Sequence, residues 1–196
     1  METTNYNKHI NSNPIQKKLI DNFYNQVYKQ LKPLKLDSIL DVGCGEGITL
    51  FNFEKEGIGK KLYGIDYSDD ALKIGKKIHP HLNLRKGDIY DIKEKDNSFD
   101  LVMATEVLEH LEDPQKALKE LIRVSKKYVM LSVPNEPFFI GANLMRGKHL
   151  KGFGNHPEHI NHWTFFSFRK FLQKNNLTIV AQKHPFAWTL ILAKKK

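Results

Sequence analysis

The sequence predicts an α/β domain built on a mostly parallel sheet with helices on both faces. Three observations carry that prediction. Strand-like apolar runs alternate with helix-length segments from Ser38 to Pro134, which implies right-handed crossovers between parallel strands. The first run, "SILDVGCGEG", breaks into glycines at 43, 45 and 47, as a buried strand does when it ends in a turn that must let backbone approach a ligand. Aspartates stand at or near the ends of three successive runs: Asp41, Asp66 and Asp88.

The elements follow in order. A polar tail covers residues 1–13. Ile15, Leu19, Phe23, Val27 and Leu31 then recur at four-residue intervals, the stripe of an amphipathic helix over 14–31 that Pro33 closes. Strands are expected at 38–43, 61–66, 82–88, 99–105 and 128–134, with helices at about 47–56, 69–79 and 114–125. Asp113-Pro114 supplies a cap followed by proline at the first helical position. Residues 135–163 have no period and read as an insertion beside the strand ends, where functional loops gather. A helix from Ser167 to Asn175 and two runs joined by "PFAW" complete the chain as an antiparallel hairpin. Five parallel strands and a terminal hairpin make a Rossmann-like sheet. The 196 residues are read as a single domain with room for an ordinary core.

Composition narrows the function. The single cysteine, Cys44, excludes an internal disulfide and a cysteine-built zinc site. No apolar run reaches the ~20 residues that span a bilayer, and the asparagine-rich start lacks a signal pattern; a cytoplasmic location is expected. The net charge of +9 allows a nucleic-acid partner, but lysines scattered along the chain supply most of it. Only four arginines occur, Arg85, Arg123, Arg146 and Arg169, and arginine is the usual bidentate phosphate ligand.

Gly43, Gly45 and Gly47 give G-x-G-x-G, not the G-x-G-x-x-G of a dinucleotide site, and no phosphate-loop pattern follows. Asp41 and Glu46 crowd the same turn and would repel a diphosphate, while a nucleoside carrying an ammonium or sulfonium would be favoured. About twenty residues on, Asp66 can accept both ribose hydroxyls, and Asp88 is placed to accept from an adenine amino group.

"ILDVGCGEG", "LYGIDYSDDAL", "KGDIYDI" and "FDLVMATEVLEHLEDP" resemble the successive motifs of class I S-adenosylmethionine-dependent methyltransferases. The resemblance covers most of residues 36–134 and implies a seven-stranded sheet of order 3-2-1-4-5-7-6. It implies that Asp41, Gly43, Cys44, Gly45 and Gly47 line the methionine part of S-adenosylmethionine. By the same likeness Asp66 binds the ribose, Tyr67 flanks the adenine, Asp88 and Ile89 touch its edge, and Thr105 ends the fourth strand beside it.

Methyl transfer needs alignment, exclusion of water and sometimes removal of a proton. Glu106, Glu109 and His110 follow the fourth strand, and on a helical turn they would share one face. His110 is read as a general base, with Glu106 beside it; a helix cap is the competing reading. "GNHPEHINHWT" adds His156, His159 and His162, with His149 upstream; His159 and His162 are read as acceptor-site residues, ahead of a plain polar loop and of metal ligands. Phe138, Phe139 and Phe153 could wall the same pocket, with packing an equal reading; Trp163, Phe165 and Phe166 adjoin it.

Cys44 is misplaced for cytosine C5 methylation, and the [DNS]-P-P-[YF] signature of amino-group methylation is absent. "EVLEHLEDP", "SVPNEP" and "HINHWTFFSFRKFL" resemble the small-molecule branch of the family. They imply an O, N or C nucleophile on a small-molecule acceptor, without a metal. "EVLEH" with "HPEHINHWT" is also similar to metal-dependent 2′-O-methyltransferases of the RNA 3′-terminal ribose. That likeness implies Glu106, Glu109, His110 and one of His156 or His159 around a divalent ion. A cofactor-binding regulator without catalysis is the third reading. The oligomeric state, and whether residues 14–31 form a lid or an interface, stay open.

Overall fold

The computed structural model describes residues 13–136, 138, 140–141 and 158–196. The amphipathic stripe does form a helix, α1 (Pro14–Leu31), started by Asn13, whose side chain accepts from the Gln16 amide, and by proline in its first turn. Its stripe is buried only in the second half: Val27 and Leu31 are in the core, whereas Ile15 is 74% exposed.

Alternation then runs as expected through β1 (Ser38–Val42), α2 (Ile48–Lys55), β2 (Lys61–Asp66), α3 (Asp69–Ile78), β3 (Asn83–Lys86) and β4 (Phe99–Thr105). A 3-10 turn (Leu108–His110), α4 (Pro114–Val124), β5 (Ser125–Pro134), α5 (Phe165–Gln173), β6 (Leu177–Lys183) and β7 (Trp188–Lys195) complete it. The sheet order is β3-β2-β1-β4-β5-β7-β6. β1 through β5 pair in parallel, and β7 pairs antiparallel with both β5 and β6. This is the expected seven-stranded order.

Several boundaries differ from the sequence reading. β3 is Asn83–Lys86 and not 82–88, so Asp88 lies two residues beyond the strand, in an isolated bridge with Asp91. β5 begins at Ser125, three residues before the expected start, because α4 passes directly into it and Ser125 already pairs with Phe99. The polar "SKK" concealed this, since its lysines point to solvent at the strand entry. α5 begins at Phe165 and ends at Gln173, since Thr164 and Ser167 close a reciprocal capping box at its start.

Both faces of the sheet are covered. On one, Val27 and Leu31 of α1 and Phe53 of α2 pack on Ile39, Leu101, Met103, Met130 and Leu190. On the other, Leu118 and Leu121 of α4 and Phe168 and Leu172 of α5 pack on Leu40, Val102, Val129 and Ile191. Near-continuous apolar strands such as Leu101–Ala104 require cover on both sides. Among the described residues, no helix is long and apolar enough to cross a membrane.

Candidate active site

The carboxyl ends of β1, β2, β3 and β4 gather the residues that the sequence assigned to a cofactor. Gly43, Gly45 and Gly47 all adopt positive φ, at 79°, 54° and 80°, where a side chain would be strained. The Gly43 and Cys44 amides donate to the Ile65 carbonyl at 2.8 and 3.1 Å, fastening the turn to β2. At Gly43 an added Cβ would also lie 2.5 Å from Val107 Cγ2, so the turn and the segment after β4 are packed without room for a methyl group.

Asp66 sits just beyond the turn. Its Oδ2 accepts from the Gly45 amide and its Oδ1 from the Ser68 amide, each at 2.7 Å, which leaves lone pairs on both oxygens for further donors. Asp41 is 2% exposed, and its Oδ1 has no hydrogen-bond partner among the described residues. Burial, and then the charge of Asp66, push its carboxyl up to about 7. A buried carboxylate oxygen without a donor is costly; a cation placed beside it would lower that cost and favour the ionised form.

Cys44 is buried in the turn, and burial followed by the charges of Asp41 and Asp66 raises its thiol, so it is inert. From α1, the Tyr24 hydroxyl lies 3.1 Å from Thr49 Oγ1 in the first turn of α2. Burial raises the Tyr24 phenol, and the charge of Asp41 adds to it. Tyr67 is 74% exposed, with Lys86 Nζ 4.8 Å from its ring centre. Asp88 is exposed and accepts from the Tyr90 amide at 2.8 Å, while Ile89 packs on the core. Thr105 closes β4 opposite Ser132.

The second half of the site lies after β4. The expectation that Glu106, Glu109 and His110 share one face is corrected. Glu106 has φ 59° and precedes the 3-10 turn instead of lying on it. Its carboxylate accepts from Ser132 Oγ at 2.9 Å and Trp188 Nε1 at 2.6 Å, bridging β5 and β7. Glu109 is 1% exposed and lies with His110, whose Nε2 is 3.9 Å from Glu109 Oε1. His110 Nδ1 donates to the Glu158 carbonyl at 2.9 Å; a carbonyl only accepts, so in the neutral ring Nε2 keeps the lone pair.

His159 joins this pair. Its ring meets that of His110 edge-on at 5.1 Å, and its Nδ1 lies 3.2 Å from Glu136 Oε1. His162 Nδ1 lies 3.4 Å from the same oxygen, with its side chain half exposed. Asn161 holds the arrangement from below: its Nδ2 donates to the carbonyls of Leu108 at 3.1 Å and Leu111 at 2.6 Å. The Ile160 and Asn161 amides donate to the Glu109 carbonyl. His149, His156, Phe139 and Phe153 lie outside the described residues. Phe138 is 55% exposed. Trp163 packs on Phe168 and Phe171 at 5.4 and 4.9 Å, a core contact.

Glu136, Asn161 and Trp188 were not singled out by the sequence reading. Nothing in "VPNEP" or "NHWT" marks them, because each acts through a partner distant in the chain: Glu136 is 23 residues from His159, and Trp188 is 82 from Glu106.

The fold is thus an α/β protein whose parallel strand ends carry an anionic, glycine-rich turn, the Asp66 carboxylate and a histidine-lined second half. The chain belongs to the methyltransferase domain family, which it matches over residues 14–182. An uncharacterised methyltransferase of Schizosaccharomyces pombe is 38% identical over 103 residues, 47% of this chain and 37% of that protein. A demethylmenaquinone methyltransferase of Renibacterium salmoninarum is 34% identical over 88 residues, 45% of this chain and 36% of that protein. The aligned part is thus little more than a third of the length of either relative. In fold, the chain is similar to magnesium protoporphyrin IX methyltransferase from Synechocystis, solved with bound SAH. That likeness has a TM-score of 0.71 at 16% identity and covers 100% of this chain and 96% of the other.

Proposed function

We propose that this protein is an S-adenosylmethionine-dependent methyltransferase acting on an O, N or C nucleophile of a small molecule. The buried Asp41 oxygen beside the glycine turn, without a hydrogen-bond partner among the described residues, carries the reading. It is a place made for a cation, and the donor's methionine part bears positive charge. Family membership supports the reaction class, and the demethylmenaquinone enzyme supports a small acceptor. When bound, the cofactor supplies a methyl group already activated on a sulfonium.

The residues of the chain then do four things. Gly43, Gly45 and Gly47, with Cys44 between them, let the turn's backbone approach the ligand. Asp66 offers its remaining lone pairs to ribose hydroxyls, and Tyr67, Asp88, Ile89 and Thr105 surround the base. Glu106 holds the end of β4 against β5 and β7 through Ser132 and Trp188. His110 and His159, with His162 at the rim, bind the acceptor and take up its proton, a role to which neutral imidazole is matched near neutral pH.

A second reading has its own observation. Glu109, His110 and His159 each offer one ligand atom, all within 4.8 Å of one another. One carboxylate and two imidazoles suit a divalent transition ion, which would supply Lewis acidity toward a ribose hydroxyl. This favours the 2′-O-methyltransferase of RNA 3′ ends. Against it, Glu106 is outside that group, and arginines are few.

Labelled methyl transfer from S-adenosylmethionine into a lysate, fractionated into small molecules, lipid, protein and RNA with and without EDTA, tests both. Chelator-insensitive label in the small-molecule or lipid fraction is expected. EDTA-sensitive label in RNA would replace the first reading with the second, and no label in any fraction would return the chain to the cofactor-binding regulator.

A further inference from the structure

We propose that Glu136 is a positioning residue of the acceptor site, holding His159 in a single tautomer and orientation. This rests on the reading of His159 as an acceptor-site residue. Glu136 is two residues beyond the end of β5, and its main chain is pinned from two directions. The Asn135 amide donates to the Ala187 carbonyl at 2.8 Å, and the Glu136 amide donates to the Trp163 carbonyl at 3.0 Å. The carboxylate is therefore delivered to His159 and His162 from a main chain that is itself held in place.

Both partners of the contact are sheltered: the side chains of Glu136 and His159 are each 6% exposed. Glu136 Oε1 lies 3.2 Å from His159 Nδ1 and 3.4 Å from His162 Nδ1. The other oxygen is buried without a hydrogen-bond partner among the described residues. An ionised carboxylate can only accept, so the contact requires a proton on His159 Nδ1. Free neutral imidazole side chains favour the proton on Nε2; Glu136 selects the opposite form.

The consequence for the site is directional. His110 is held the same way, through Nδ1 to the Glu158 carbonyl. Two neighbouring rings, 5.1 Å apart, are thus both fastened by Nδ1, and Glu136 sets the tautomer and the orientation of one of them.

The test compares wild type with Glu136→Met, which keeps bulk and removes the acceptor, and Glu136→Gln, whose amide carbonyl can still accept. Glu136→Ala serves as a second removal variant if the methionine is not accommodated. Ring nitrogen shifts of His159 in ¹⁵N-labelled protein report the tautomer, and affinity for S-adenosylhomocysteine reports an intact fold. Labelled methyl transfer into the small-molecule fraction of a lysate reports turnover. We expect His159 protonated on Nδ1 in wild type and Glu136→Gln. In Glu136→Met it shifts toward Nε2–H, with unchanged S-adenosylhomocysteine affinity and transfer slower by roughly 10–100-fold, the usual effect of losing a carboxylate that orients a functional histidine. An unchanged tautomer in Glu136→Met, or a changed tautomer with full transfer, would overturn the proposal. Absence of transfer by wild type would refute the proposed activity alone, because the tautomer comparison needs no acceptor.

Discussion

Proton release on cofactor binding is the sharpest expectation the structure supports, and it centres on Asp41. Its carboxyl is pushed from 3.8 up to about 7 by burial and by the charge of Asp66. The ligand-free protein therefore carries a proton there over much of the range below neutrality. A sulfonium or ammonium beside the partnerless oxygen favours the ionised form, so the cofactor must displace that proton to bind. Association should strengthen by up to about tenfold per pH unit between about pH 5 and pH 7, and level off above about pH 7.

Titration calorimetry in two buffers of different ionisation enthalpy measures the proton directly. About one proton should be released near pH 6 and close to none near pH 8. The ligand's own α-amino group titrates near pH 8, so the readout is the difference between wild type and Asp41→Asn. The sign for stability runs the other way from an ordinary paired aspartate. The folded-state pKa lies above the unfolded one, so the contribution is full below about pH 4 and is lost as pH rises toward about 7. The rise from 3.8 to about 7 corresponds to roughly 4 kcal/mol. Asp41→Asn should remove that slope from the ligand-free denaturation profile. Equal proton release by wild type and Asp41→Asn would refute the reasoning.

Two other outcomes are expected. Gly43→Ala places a Cβ 2.5 Å from Val107 Cγ2 at a φ of +79°; it should lower stability by about 1–3 kcal/mol and weaken S-adenosylhomocysteine binding, read by denaturant melts and calorimetry. Asn161→Ala removes the side-chain donor to the Leu111 carbonyl and one of the two donors to the Leu108 carbonyl, which keeps the Leu111 amide, at a cost of about 1–3 kcal/mol; the donor affinity should hold while methyl transfer falls, since only the proposed acceptor half loses its support.

The glycine-turn half of the candidate site was legible in the sequence because its determinants are local. Glycines at 43, 45 and 47 announce a positive-φ turn, and Asp41 and Asp66 follow from strand ends that alternation locates. The sheet order was legible only through family resemblance, since no pattern in "TLILAKK" says that β7 inserts between β5 and β6. The histidine half of the candidate site was read in its residue types but not its wiring. Glu106 was grouped with His110 by helical spacing, yet the left-handed conformation at Glu106 rotates it toward Ser132 and Trp188. Glu136 was invisible because its meaning depends on a pinned strand end meeting a histidine across the insertion.

The placement of β7 bears on how the molecule comes into being on the ribosome. It is made after the six other strands of the sheet, yet it occupies an inner position, with the earlier β6 left at the edge. Until Trp188 arrives, the Glu106 carboxylate lacks its indole donor and β5 is paired on the β4 side alone. Strands β1 to β4, which carry the glycine turn and Asp66, are translated some eighty residues sooner and can pair among themselves. Synthesis thus yields a nascent chain whose glycine turn can take shape before Glu106 gains its tie to β7.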